Sequence, residues 1–188
     1  MDERRIARAI REILLAIGED PEREGLLETP ERVAEAYAQL FSGLAKDPTR
    51  HLEGGFAEEV RDLILIRNLP VASLCEHHLL PFTGKAHVGY VPNGRVAGFS
   101  ELARVVEDYA KRPQLQERLT AQVADAVYGT LNASGALVVV EAEHTCMSMR
   151  GVEVPGAVAI TAAARGVFEE DVARRAEVLA LISPGSAV

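Results

Sequence analysis

The sequence predicts an α+β fold, with an antiparallel sheet and helices packed on one side of it. Apolar residues recur at helical spacing near both ends and in the middle of the chain, and two-residue alternation marks the stretches between them. The resulting order is helices, strands, two helices, strands and a closing helix, which is the order of an α+β domain. With 188 residues, 48% of them hydrophobic, the chain can build one well-packed domain but is short for two ordinary ones.

From Glu3 to Ile17, the residues Ile6, Ile10, Ile13, Leu14 and Ile17 define an amphipathic helix that Asp20-Pro21 ends. Thr29-Pro30-Glu31 then offers an N-cap, a proline at the first helical position and an early acidic residue, so a second helix should run to about Ser42-Gly43. Residues 45–59 mix Gly, Pro, Asp and Lys without periodicity and read as a connector. The expected division is therefore a helical arm and connector over 1–59 and a main domain over 60–188. Residues 60–69 and 84–92 alternate and read as strands, which puts Cys75 to His78 on a loop or short turn between them. Asn93-Gly94 signals a hairpin that returns the chain through Arg95 to Phe99. Ser100 can cap a helix to about Lys111, and a longer one should run from Gln114 to about Leu131 with Leu115, Leu119, Val123 and Val127 on one face. Ala136 to Glu143 and Ala157 to Phe168 read as strands, and Glu169 to Ile182 as the final helix.

A formal net charge of -8 argues against a general nucleic-acid binder, because counterion displacement needs a basic face. If the ligand is a phosphate ester, the positive charge that meets it must be local. The first residues interleave charge with Ile and Ala rather than forming a signal-peptide core, and no later run is long enough to span a bilayer. The expectation is a soluble cytoplasmic protein with no nucleic-acid or membrane partner. In a reducing compartment, two cysteines point to metal ligation or a reactive pair rather than a structural disulfide.

Both cysteines and three of the five histidines fall in Cys75-Glu76-His77-His78 and His144-Thr145-Cys146. Cys75 and His78 are spaced to reach one ion from a single turn, and Cys146 adds a third ligand, a zinc-type set. Three protein ligands leave a tetrahedral zinc one open position, at which a water is acidified toward neutral pH. The plain alternatives are a closed structural site with His144 or His77 as fourth ligand, or no metal. An open site is favoured because His144, two residues from Cys146 in an extended chain, can lie beside the metal without binding it. His77 should point away from its neighbour His78, and the apolar content suffices to fold without a metal staple. Two imidazoles that do not bind the metal suit proton transfer. A second cluster, Gln116-Glu117-Arg118 with Ser100, Arg104 and Arg150, taken singly reads as ordinary solvated helix faces. A single Glu can, however, accept the adjacent N–H donors of guanine, and arginines can clamp phosphates.

Taken together, Cys75 to Phe82, His87-Val88-Gly89-Tyr90-Val91-Pro92, Arg112 to Thr120 and His144 to Gly151 closely resemble GTP cyclohydrolase I, four motifs in the right order between about Leu26 and Phe168. The resemblance implies a tunnelling fold, in which an antiparallel sheet backed by two helices assembles into rings, and two pentamers stack into a homodecamer with active sites at subunit interfaces. Carried across residue by residue, Cys75, His78 and Cys146 hold Zn2+, while His77 and His144 transfer protons. Glu117, helped by Gln116, holds the guanine, and Ser100, Arg104, Arg150 and Arg32 contact the triphosphate or ribose. The implied reaction opens the imidazole ring of GTP, releases formate and closes a dihydropterin ring, giving 7,8-dihydroneopterin triphosphate for folate synthesis.

Where relatives commonly carry lysines near the triphosphate, this chain has Glu35 and Glu101. If Glu101 faces the phosphates, Glu101→Lys should lower the apparent Michaelis constant for GTP. Competing readings are a deaminase-like zinc hydrolase, which would need, beside its His-x-Glu, a Cys-x-x-Cys that is absent here, a non-catalytic ring protein with a four-ligand zinc including His144, and a pterin-binding module.

Overall fold

The computed structural model of the chain describes residues 1–183, so the last residues of the expected main domain, 184–188, lie outside the described residues. The chain forms two compact units, Met1–Ser42 and a second beginning at Gly43.

In the first unit, α1 (Glu3–Ala16) starts at Asp2, whose carboxylate accepts from Arg5 N at 2.9 Å. Its apolar stripe packs on α2 (Thr29–Leu40), where Pro30 and Ala34 are buried. Glu28, not Thr29, holds the cap position of α2, so the proline sits one residue further in than the sequence predicts.

A 3-10 turn (Ser42–Ala45) follows α2, and the segment expected to be a connector over 45–59 folds into the short helix α3 (Arg50–Glu53) and the strand β1 (Phe56–Ala57). Leu52 of α3 is fully buried in the main core. Asp108, itself buried, pins this segment: it accepts from Lys46 Nζ at 2.7 Å and meets His51 Nε2 at 2.8 Å.

The sheet begins with β2 (Ile64–Cys75) and β3 (Pro81–Val91), both longer than the alternation alone predicts. The expected end of β2 near Leu69 is not an end. Asn68, at φ 62, absorbs a register shift between Ile66 and Leu69, and the strand continues through Pro70. That proline is tolerated because β2 has no second partner there. Cys75 therefore ends a strand rather than sitting on a loop. Gly94, at φ 84, does turn the chain, but β4 (Arg95–Val96) pairs with β1 instead of returning along β3. The predicted hairpin cannot form because β3 already has neighbours on both edges.

Helix α4 (Phe99–Ala110) is entered from Gly98, so Ser100 is not its cap. The carboxylate of Glu101 accepts from Gly98 N at 2.9 Å instead. The two-residue β5 (Pro113–Gln114) runs parallel to the end of β2 and leads into α5 (Gln116–Thr130). Next come β6 (Gly135–His144), the helical turn α6 (Thr145–Ser148) and β7 (Val158–Gly166), giving a five-stranded sheet in the order β5-β2-β3-β6-β7, antiparallel except at β5. The expected final helix is broken into α7 (Val167–Glu170) and α8 (Val172–Ile182), because Asp171 caps the second by accepting from Ala173 N and Arg174 N.

Strand alternation decides which face each residue serves. Phe82, Ala86, Val88 and Tyr90 of β3 and Ala136, Val138, Val140 and Ala142 of β6 face α4 and α5, where Leu102, Val105, Leu119, Val123 and Val127 complete the main core. This is the α+β arrangement the sequence predicts, a sheet backed by two helices on one face. The opposite face carries a smaller cluster of Leu137, Val139, Phe168, Val178 and Ile182 under α8. Among the described residues, no helix is long and apolar enough to cross a membrane.

Candidate active site

Strands β2 and β6 both flank β3, and their ends bring the two cysteine stretches together. After Cys75 the chain makes a closed turn: Leu79 N donates to Cys75 O at 2.8 Å and Cys75 N donates to Leu80 O at 2.9 Å. Leu79 takes the left-handed conformation, at φ 52, to close it. After His144 the chain turns helical rather than staying extended, which corrects the premise that His144 and Cys146 project to one side of a strand. The helical turn still delivers Cys146 to the group. Ligand atoms of Cys75, His78 and Cys146 lie within 4.8 Å of one another, with Cys75 buried and His78 exposed.

Two soft sulfurs and one imidazole at that separation fit zinc well. Burial and the neighbouring Cys75 thiol push the Cys146 thiol up from its ordinary value, while Arg150 pulls it down. A bound cation reverses that balance, because the thiolate is the form that ligates.

His144 is outside this group. By strand alternation its side chain falls on the side of α5, opposite Phe82 in the register. The two rings stack with centroids 4.6 Å apart and an 11° interplanar angle, and His144 Nε2 lies 2.7 Å from Gln116 Oε1. Burial pushes the His144 imidazole down from its ordinary value and Glu117 pulls it up, which places Glu117 within electrostatic reach. His77 is exposed beside His78, with the rings 6.3 Å apart and nearly perpendicular.

Three consecutive residues at the start of α5 point to different places. Gln116 is buried against β6 and β7. Glu117 is exposed on the rim of a cavity of about 500 Å³, with Thr161, Arg165 and Arg175 also lining it, and among the described residues nothing hydrogen-bonds its carboxylate. Arg118 makes a two-pronged ion pair with Glu76, tying the metal-ligand turn to α5; its hydrogen bond pulls the Glu76 carboxyl down. Ser100 and Arg104 are exposed on α4, one turn apart. Arg32 belongs to the first unit and pairs there with Glu28.

The sequence reading missed the roles of Phe82, Glu76 and Arg118. Phe82 and Glu76 lie inside the first motif, but what they contact depends on the β3–β6 register and on the placement of α5.

Comparison with known proteins gives the family. The family model for GTP cyclohydrolase I matches residues 6–183. The chain is 59% identical to a GTP cyclohydrolase 1 of Carboxydothermus hydrogenoformans over 97% of this chain and 95% of the relative. It is 57% identical to one of Rhodopirellula baltica over 97% of this chain and 80% of the relative. It is 56% identical to one of Bacillus subtilis over 95% of each. Among solved structures, an archaeosine synthase QueF-Like in the apo form aligns with a TM-score of 0.46 at 20% identity, covering 55% of this chain and 93% of that chain, too distant to bear on the fold. On the full-length match and the level of identity, the chain belongs to the GTP cyclohydrolase I family.

Proposed function

We propose that the chain converts GTP to formate and 7,8-dihydroneopterin triphosphate, the first step toward folate, with Zn2+ held by Cys75, His78 and Cys146. When bound, the metal supplies Lewis-acid activation of a water. Glu117, exposed and without a hydrogen-bond partner among the described residues, accepts the adjacent N–H donors of the guanine edge. His144 delivers a proton to N7, which makes C8 electrophilic, and His77 serves the later proton transfers of ring opening and closure. Ser100, Arg104, Arg150 and Arg32 neutralise the triphosphate or hold the ribose. Catalytic and ligand residues all lie within 60–188, and Arg32 alone comes from the arm over 1–59.

The observation that carries this reading is the position of His144. A closed, four-ligand zinc needs His144 or His77 in the metal group; His144 Nε2 is instead engaged by Gln116, and among the described residues the group that converges is Cys75, His78 and Cys146. Assembly into a homodecamer of two stacked pentamers is part of the proposal. It is supported by β7, which among the described residues pairs on one side only and exposes Val158 and Ile160, an edge suited to a second copy of the sheet. We place the protein in the cytoplasm.

The test is to incubate zinc-loaded protein with GTP and assay formate together with fluorescent pterin after oxidation. Both products, abolished by Cys146→Ala, are expected. Formate without pterin would indicate ring opening alone, and neither product with zinc retained would favour a structural site.

A further inference from the structure

Gln116 opens α5 with its side chain turned inward, at 3% exposure, and every polar atom of its amide is engaged. Its Nε2 lies 3.0 Å from Val140 O, 3.0 Å from Ala159 O and 3.2 Å from Thr161 Oγ1. Its Oε1 lies 2.7 Å from His144 Nε2. Two backbone carbonyls can only accept, so the group facing them is the NH2 and the oxygen must face the histidine. Reversing the amide would set an oxygen against two carbonyl oxygens in a buried site. The hydroxyls beside it agree with this orientation. Thr120 Oγ1 donates to Gln116 O at 2.7 Å and lies 2.6 Å from Thr161 Oγ1, so the Thr161 hydroxyl donates to Thr120 and accepts from Gln116.

An amide oxygen accepts and does not donate, so His144 Nε2 carries a hydrogen. The other ring nitrogen, Nδ1, has no hydrogen-bond partner among the described residues and is not among the buried unpartnered atoms, so it reaches solvent. A half-turn of the ring would put Cε1 in place of Nε2 and lose the bond to Gln116, so that bond and the stack on Phe82 together fix the ring.

We propose that Gln116 is a positioning residue for His144, holding its imidazole as the Nε2–H tautomer and making Nδ1 the nitrogen that exchanges a proton with the substrate. This deepens the reading of His144 as a proton-transfer group and rests on it. A proton passed between the ring and N7 of the purine crosses at Nδ1. Gln116 holds the Nε2 hydrogen throughout, so no proton is lost into the buried network. The Gln-Glu pair at the helix start thereby divides its work, with Glu117 outward for the base and Gln116 inward for the histidine. The family resemblance implies Gln116 as a helper of Glu117 in holding the guanine.

Two measurements test this. In the zinc-loaded wild-type protein labelled with 15N-histidine, with His144 assigned by comparison with His144→Ala, the spectrum of the neutral ring should show a pyrrole-type Nε2 and a pyridine-type Nδ1. The opposite pattern would overturn the proposal whether or not any Gln116 variant folds. In kinetics, Gln116→Met should lower kcat by about 100-fold with KM for GTP within about threefold of the parent, at unchanged zinc content. A raised KM with unchanged kcat would instead make Gln116 a substrate contact. An inactive wild type would fault the functional reading, and the spectrum would still decide the tautomer.

Discussion

Replacing Phe82 with leucine removes the ring that supports His144 while leaving an apolar side chain in the core. Phe82 is 0% exposed. A buried Phe→Ala change costs about 3–5 kcal/mol, and Leu keeps over half of the side chain, so the packing loss is about 1–2 kcal/mol. Losing the ring pair adds about 0.5–1.5 kcal/mol, for a total of about 1.5–3.5 kcal/mol. Val88→Ala is the control: it sits on the same strand, also at 0% exposure, facing the same helices but away from His144. It removes two methyl groups and should cost about 2 kcal/mol. Denaturant unfolding at equal protomer concentration should show comparable losses for the two variants. Formate release at saturating GTP should separate them, with kcat falling about tenfold for Phe82→Leu only, because its histidine is less well held. Equal losses of kcat would mean that activity follows stability, and the stacking argument would be refuted.

Three further expectations follow from the packing. Burial pushes the Asp108 carboxyl up, but hydrogen bonds from Lys46 and His51 outweigh it and hold it below its ordinary value. Asp108→Asn should therefore cost about 2–4 kcal/mol at neutral pH. The difference should be full above the unfolded carboxylate pKa of about 3.9 and vanish as pH falls through the lower folded value; a pH-independent difference in unfolding midpoint would contradict the ion-pair account. Glu101→Lys should lose about 1 kcal/mol of helix capping and leave KM for GTP within about twofold, because the carboxylate is turned onto Gly98; a clearly lower KM would mean that it faces the phosphates after all. A Cβ on Gly84 would lie 1.9 Å from Glu141 O, so Gly84→Ala should force β3 and β6 apart and cost at least about 3 kcal/mol, and a normal melting temperature would show that the strands can yield there.

Much of this architecture is legible from periodicity because the strands alternate cleanly and the helices carry continuous apolar stripes. Leu119, Val123 and Val127 are buried as their spacing predicts. Errors arise where a tertiary partner overrides a local signal. The strand expected over 60–69 runs on through Pro70, which among the described residues sits on an unpaired edge, and Asn93-Gly94 reads as a hairpin although β3 has no free edge to offer. The candidate metal group of Cys75, His78 and Cys146 is readable as Cys and His at short spacing within two stretches. The Gln116–His144 bond was not, because it joins a helix start to a strand end that only the fold brings together, and nothing in either residue's neighbourhood announces it.

X-ray absorption at the zinc edge of the loaded protein tests the open, three-ligand centre most directly. The account predicts two sulfurs at about 2.3 Å, one imidazole nitrogen at about 2.0 Å and one further light atom, with a spectrum unchanged in shell composition by His144→Ala. Two imidazoles in the wild type, one of them lost in His144→Ala, would show that His144 closes the shell, and both the open centre and its proton-transfer role would fall together.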